Sequence, residues 1–229
     1  TGCTTQSFTT GTAPSLPLTE DFSAAFPPSC WTRSSSVAII ADAASAYGAG
    51  TGSAKFDFYN NGPGNFDLTT PNFANSPAGY VLSFDFAYAT FVNEIDQLEI
   101  LTSTNNGNSY SSLVLLNGGT NGILNTGGAS AAAFTPTSGQ WASYQIVLPT
   151  GTNRVMFRGV SVFGNNLYLD NISINTPPPP PNCAIGLTPA DLATNQFRDV
   201  VLSWSNGGGN PTGYDVYLDQ NPNPVTLVS

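Results

Sequence analysis

The chain has 229 residues, no histidine, and 14 acidic against 5 basic groups, which gives a formal net charge of -9. Only 8% of the residues are charged but 40% are hydrophobic, which is the apolar content of a folded domain rather than of a disordered segment. This composition excludes a basic nucleic-acid surface, histidine-dependent catalysis and histidine metal sites, and no apolar run is long enough to span a membrane.

The first segment, residues 1–13, is predicted to form a single strand that has no sheet of its own. It contains Cys3 and ends before Pro14, where a much longer block begins.

Residues 14–176 form that long block, and hydrophobic and polar residues alternate along it with a period of two. Each alternating run is short, rich in aromatic and β-branched residues, and bounded by turn residues. The runs are Lys55–Tyr59, Tyr80–Phe86, Gln97–Leu101, Ser143–Leu148, Arg154–Arg158 and Leu167–Ile174. Asn-Gly pairs at 61–62, 106–107, 117–118 and 121–122 are expected to supply turn positions with positive φ. The pattern predicts an all-β fold, a two-sheet jelly-roll β-sandwich.

The prolines at 177–181 predict a stiff polyproline linker, and residues 182–229 form a second β block after it. Val200–Trp204 and Gly213–Leu218 are predicted strands, joined by a Gly- and Asn-rich loop. A tryptophan strand followed by a Tyr-x-Val-Tyr strand is typical of an immunoglobulin-like sandwich, but such a sandwich needs about 100 residues. The block is therefore expected to be only the N-terminal half of one.

Cys3, Cys30 and Cys183 are far apart and form no CxxC pair, which argues against a zinc site. No histidine is present to activate a nucleophilic thiol, so disulfides of a secreted protein are the favoured interpretation. Three cysteines cannot all pair within one chain, so at least one is free or pairs elsewhere.

The segment from Pro181-Asn182-Cys183 to Gly213–Leu218 resembles the first strands of fibronectin type III modules in large secreted bacterial proteins. Gly2-Cys3 followed by Phe8-Thr9-Thr10 resembles their last strand. The resemblance implies that residues 1–13 end one module and residues 182–229 begin the next. It also implies that Cys3 and Cys183 are halves of the same disulfide in successive copies, each with its partner outside this segment.

The middle block resembles the MAM-like jelly roll called choice-of-anchor J, related to the cleaved-adhesin domains of gingipains. The matching stretches are 18–22 with 26–31, 82–88, 96–100 with 103–107, and 163–172. The resemblance implies a large surface protein exported by type IX secretion in gliding or periodontal bacteria. Cys30 stands where members usually have glycine, and it is expected to be a small buried thiol, with an intermolecular bond as the alternative.

Without histidine, catalysis would need a carboxylate pair such as that of glycosidases, drawn from Asp57, Asp85, Glu94, Asp96 and Glu99. These residues are predicted to lie in ordinary alternating strands or turns, so the segment is expected to be non-enzymatic. In related jelly rolls a cation links the first strand to the last, and this resemblance implies a structural calcium site at Glu20, Asp21 and Asp170, with Asp96 as a weaker candidate. The alternative is that Asp170-Asn171 only caps a turn.

Two functions remain open. One is a repetitive stalk or adhesive region of an extracellular, cell-surface protein, which contacts a polysaccharide or protein surface and other modules of its own chain. The other is a carbohydrate- or substrate-binding accessory module of a secreted hydrolase or protease. Neither involves nucleic acid or a membrane span. Exposed rings would favour the second, and the candidates are Trp31, Tyr47, Tyr59, Tyr88, Tyr110 and Trp141, although most strand aromatics are core residues. The long loop 117–133 is a further candidate recognition segment.

Overall fold

The computed structural model describes residues 15–176, 182–197, 199–209, 213–221 and 224–228. The chain divides into two compact units, Thr1–Pro177 and Pro178–Ser229. The predicted strand in residues 1–13, Cys3 within it, and the predicted proline linker at 177–181 lie outside the described residues.

The first unit is a sandwich of two antiparallel sheets, and its strands are numbered here in chain order. One sheet has the order β3-β4-β11-β6-β9, with β1 also paired to β11, and the other has the order β2-β5-β10-β7-β8. The strands are β1 Leu18–Glu20, β2 Thr32–Arg33, β3 Ile39–Asp42, β4 Ser53–Phe56, β5 Gly64–Thr69, β6 Val81–Tyr88, β7 Gln97–Ser103, β8 Ser111–Asn117, β9 Ala142–Val147, β10 Arg154–Ser161 and β11 Leu167–Asn175. Short 3-10 turns lie at Ala46–Gly48 and Ser138–Gln140. The prediction of an all-β jelly-roll sandwich is confirmed.

The core lies between the two sheets because alternate side chains of each strand point inward. In β6, Leu82, Phe84 and Phe86 are at most 1% exposed. Phe84 meets Phe157 of β10 across the sandwich in an edge-to-face contact, with 5.4 Å between ring centroids. Such ring pairs add specificity to the burial of apolar area that stabilises the sandwich.

A smaller apolar cluster covers part of the outer face of the β6–β11 sheet. Ala87 and Tyr168 belong to the strands, and Ala46, Phe134 and Trp141 reach them from loops. The hydroxyl of Tyr168 donates to the carbonyl of Phe134 at 2.8 Å. Because loops cover this face, outward-facing residues of β6 and β11 are buried instead of solvated.

The turns follow the Asn-Gly prediction at one of its four positions. Asn106 has φ 61° and Gly107 has φ 85°, in the hairpin that joins β7 to β8. In the other three pairs neither residue has positive φ, so the prediction is wrong there; after Asn117, for example, it is Gly119 that has φ 83°.

The second unit contains a two-stranded sheet, β12 (Ile185–Thr188) with β13 (Ser203–Ser205), and an isolated antiparallel bridge between Tyr217 and Leu227. The predicted strand Val200–Trp204 is therefore shorter and shifted, and Gly213–Leu218 retains only the bridge at Tyr217. The Trp204 and Tyr214 rings pack edge to face at 5.7 Å. A fibronectin type III identity for this unit stays a prediction.

The cysteines differ from expectation at Cys30. This residue is exposed and disulfide-bonded, so the prediction of a buried free thiol is wrong. Its φ of 67° lies in the left-handed region that favours glycine. Cys183 is exposed and free. Within the described ranges, no helix has the length and hydropathy of a membrane span.

Candidate functional site

The predicted calcium region lies where β11 changes partner along one edge. β4 pairs with Leu167–Leu169, and β1 pairs with Ile172–Ile174. Asp170 and Asn171 fall in the gap between those two ladders, where the pairing with β6 also shifts register. Asn171 has φ 47°, so the chain bends at this residue and departs there from regular strand geometry.

Asp170 is only 1% exposed, and both of its carboxylate oxygens have backbone partners. Oδ2 accepts from the N–H of Ala46 at 2.8 Å and Oδ1 from the N–H of Asn171 at 2.7 Å. Burial raises the pKa of Asp170 to about 6, and the Asp85 and Asp21 carboxylates add to this while the two N–H donors oppose it. The carboxylate thus anchors the 46–48 turn to the strand.

Asp85 lies directly opposite Asp170 on β6 and is held by side chains. Its Oδ1 accepts from Ser143 Oγ at 2.5 Å and its Oδ2 from Asn171 Nδ2 at 2.8 Å. The Tyr47 hydroxyl lies 2.9 Å from the same Ser143 Oγ. These contacts form one polar network on the outer face of the sheet.

Glu20 and Asp21 share an open cleft of about 520 Å³ with Asn171. Glu20 Oε1 accepts from the Phe22 N–H at 2.8 Å, and burial raises the pKa of Glu20. Asp21 Oδ1 accepts from the Ser23 hydroxyl and N–H, which lower the pKa of Asp21. In the part of the chain that the structure describes, however, no three His, Cys, Asp or Glu side chains are grouped to share a metal ion. Asp170 is instead engaged by the backbone N–H groups of Ala46 and Asn171.

Asp96 lies apart from this cleft, at one end of the sandwich. It is fully buried and accepts hydrogen bonds from the Tyr88 hydroxyl and from the N–H groups of Val162, Gly164 and Asn165. Burial raises the pKa of Asp96, and the four donors oppose that shift. These contacts make Asp96 an anchor for the loop between β10 and β11.

The other candidates are distributed through the jelly roll. Asp57 pairs with Lys55 at 3.2 Å, and Glu99 lies 3.8 Å from Arg158. Asp85 and Glu99 lie in strands, whereas Asp57, Glu94 and Asp96 lie in loops. Among the ring candidates, Trp31, Tyr88 and Trp141 are core residues, whereas Tyr47 is 48% exposed.

A second cleft, of about 360 Å³, was not foreseen as a unit. Its lining is Tyr59, Phe91, Glu94, Val162, Phe163 and Gly164. Tyr59 and Glu94 were sequence candidates, but Phe91, Val162 and Phe163 were not, because loop aromatics produce no periodic signal. In the sequence these three positions are marked only by a bulky apolar residue that stands among turn residues.

Structure comparison gives a fold but no family. No protein-family model matches the sequence, and a search of curated proteins finds no significant match. The K1 cleaved-adhesin domain of Lys-gingipain from Porphyromonas gingivalis is similar at 18% identity and a TM-score of 0.52, covering 71% of this chain and 99% of that one. The K3 cleaved-adhesin domain of the same protein is similar at 19% identity and a TM-score of 0.49, covering 69% of this chain and 98% of that one. A carbohydrate-binding module in complex with β-1,4-galactotriose is similar at 14% identity and a TM-score of 0.43, covering 66% of this chain and 90% of that one. At these identities the likeness shows a shared fold, and it rests on the K1 domain because the other TM-scores are below 0.5.

Proposed function

We propose that this chain is a non-catalytic attachment segment of a large extracellular adhesin or cell-surface filament. The observation behind this proposal is the jelly roll itself, because its structural match to a cleaved-adhesin domain covers 99% of that domain's chain. Type IX secretion, neighbouring fibronectin type III modules and an extracellular, cell-surface location belong to the same proposal.

The described carboxylates support binding over catalysis. Asp57 and Glu99 contact cationic side chains, and Asp85 accepts two side-chain hydrogen bonds. A glycosidase needs one carboxyl free to donate a proton and a second placed across the scissile bond. The partners found for these groups give each of them a structural role instead.

We also propose that a calcium ion binds in the cleft of Glu20 and Asp21, near the junction of the first and last strands. Carboxylate oxygens are hard ligands suited to calcium, and the ion would neutralise the repulsion between these neighbouring acids. Calorimetry should detect calcium binding that a chelator reverses and that Glu20→Gln with Asp21→Asn abolishes. The Glu99→Gln variant is the matched control. No heat of binding and no rise in melting temperature would refute this site.

The attachment role is tested with beads coated with the 229-residue chain and presented to glycan and protein surfaces. Adhesion should occur without any release of cleavage products. Hydrolysis of a glycan or peptide substrate would overturn the proposal. Tight binding to one polysaccharide, with no adhesion to protein surfaces, would replace it with the accessory-module alternative.

A further inference from the structure

The cleft at the end of the jelly roll is built by three loops that the topology brings together. Tyr59 follows β4, Phe91 and Glu94 lie between β6 and β7, and Val162 and Phe163 lie between β10 and β11. Tyr59 and Phe91 pack edge to face, with 5.8 Å between ring centroids and 78° between ring planes.

The loop that bears Phe163 is fixed by hydrogen bonds to the buried carboxylate of Asp96. Asp96 accepts from the N–H groups of Val162 at 2.8 Å, Gly164 at 3.3 Å and Asn165 at 2.9 Å. A Cβ on Gly164 would collide with the Asp96 carboxylate, so the backbone lies directly on that carboxylate. The N–H of Tyr59 donates to Asn166 Oδ1 at 3.2 Å, which ties the first loop to the third. The cleft is therefore pre-formed.

The backbone conformation of Phe163 is unfavourable for a residue other than glycine. Its φ is 73°, in the left-handed region that favours glycine, and its side chain is 52% exposed. A large ring in such a position gains little from burial and bears backbone strain. Strain of this kind is found at functional sites, where the side chain serves a ligand and not the core.

The lining has the chemistry of a site for a cation. Three aromatic rings line the cleft, aromatic ring faces attract positive charge, and Glu94 adds a carboxylate. Glu94 Oε2 accepts from the Asn93 N–H at 3.1 Å, and among the residues described here none of the ion pairs includes Glu94. The net charge of -9 would also draw a cationic partner toward the chain.

A neutral sugar fits this lining less well. Its hydroxyl groups need several donors and acceptors around the ring, and pockets supply these with polar side chains. Here the polar side chains of the lining are the Glu94 carboxylate and the Tyr59 hydroxyl. An alkylammonium group needs only ring faces and an anion, while its apolar stem can pack on Val162.

We propose that this cleft binds the side chain of an exposed lysine on a partner protein. The ammonium lies among the rings of Tyr59, Phe91 and Phe163 beside Glu94. The assignment rests on the proposed attachment function for the identity of the partner, and it makes the contacted surface a lysine-bearing protein.

The site is tested by nuclear magnetic resonance titration of the isotope-labelled 229-residue chain with Nα-acetyl-lysine N-methylamide. Saturable shifts are expected at the amides of Tyr59, Glu94 and Gly164, and they should weaken as salt increases. The Nε-acetylated compound should cause none. Equal shifts with the acetylated compound, shifts only with neutral oligosaccharides, or no saturable shifts would each overturn the proposal.

Two matched pairs of variants separate binding from folding. Phe163→Gly should weaken binding by about tenfold, and it should keep or raise the melting temperature because glycine tolerates this φ. Asn106→Gly also replaces a residue with positive φ, 61°, but in the β7–β8 hairpin and outside the cleft lining, and it should leave binding unchanged. Glu94→Gln should weaken binding roughly threefold to fivefold, whereas Glu99→Gln should not. Equal effects within either pair would refute the site.

The same variants distinguish this site from the broader function. Bead attachment that survives in Phe163→Gly, together with lost lysine binding, would refute the cleft as the contact and leave the attachment role in place. Lysine binding without any bead attachment would instead refute the attachment role.

Discussion

The two units of the chain have similar alternating sequences but bury them to very different extents. In the jelly roll, Phe84 and Phe157 are at most 1% exposed. In the second unit, Leu192 is 89% and Val201 77% exposed. The first unit has two facing sheets, whereas the described part of the second has one two-stranded sheet and a bridge. Alternation therefore specifies a strand locally, while burial of its apolar side chains requires a second sheet to face it.

The largest expected effect comes from breaking the core of the first unit. Phe157→Ala removes a fully buried ring that packs on Phe84, and the cavity should lower the free energy of unfolding by about 3–5 kcal/mol. Trp204→Ala removes the partly buried ring of the Trp204–Tyr214 pair in the second unit, and it should leave the main transition in place. Urea unfolding followed at the amide resonances of β6 and β10 measures both. Equal losses from the two variants would contradict the comparison.

A smaller effect is expected from the buried carboxylate that anchors the end loop. Asp96→Asn leaves backbone donors facing an amide that cannot accept them all, and it should cost about 2–4 kcal/mol. Asp219 in the second unit also accepts three backbone N–H bonds, from Asn221, Val225 and Thr226, but it is only partly buried. Asp219→Asn should therefore change stability much less. The urea midpoints of Asp96→Asn and Asp219→Asn are compared with that of the unsubstituted chain. Similar losses of stability in the two variants would mean that burial of the carboxylate does not determine the size of the loss.

The stability of the two units should change in opposite directions as pH falls. Burial raises the folded-state pKa of Asp170 to about 6, so the folded chain binds the proton more tightly than the unfolded chain does. The jelly roll should therefore become more stable as pH falls from 7.5 toward 5. Hydrogen bonds from Val225 and Asn221 lower the pKa of Asp219, so its contribution is present at neutral pH and is lost in acid as pH falls through that lowered pKa.

Melting temperatures measured with a chelator present test this sign. Asp170→Asn should reduce the rise in stability between pH 7.5 and 5, while some rise remains because the pKa values of Glu20 and Asp96 are also raised. A rise of full size in Asp170→Asn would show that other groups produce it.

The sequence predicted the strands of the jelly roll better than its sites, for a physical reason. The six alternating runs overlap β4, β6, β7, β9, β10 and β11, although Lys55–Tyr59 shares only its first two residues with β4. Alternation follows directly from the pleat of a strand. The short-range pattern did not single out β8, whose Leu113–Leu116 run is continuously apolar. The rings of Phe91 and Phe163 meet Tyr59 only through the topology, and the positive φ of Cys30 and Phe163 has no counterpart in composition. Asp96 was a weak metal candidate by sequence, whereas its role as a loop anchor depends on contacts with residues 162–165.

The smallest expected effect concerns the outer face of the second jelly-roll sheet, where charges remain near water. Arg158 makes two hydrogen bonds to Asp67, at 2.7 and 3.1 Å, and both side chains are about a quarter exposed. Arg158→Gln should cost only about 0.5–1 kcal/mol, because solvent already screens the pair. The loss should shrink further at high salt, unlike the loss in Phe157→Ala, which salt does not screen. Urea midpoints at low and high ionic strength measure this difference. A loss for Arg158→Gln as large as that for Phe157→Ala would mean that an ion pair, and not the closed apolar core, stabilises the first unit.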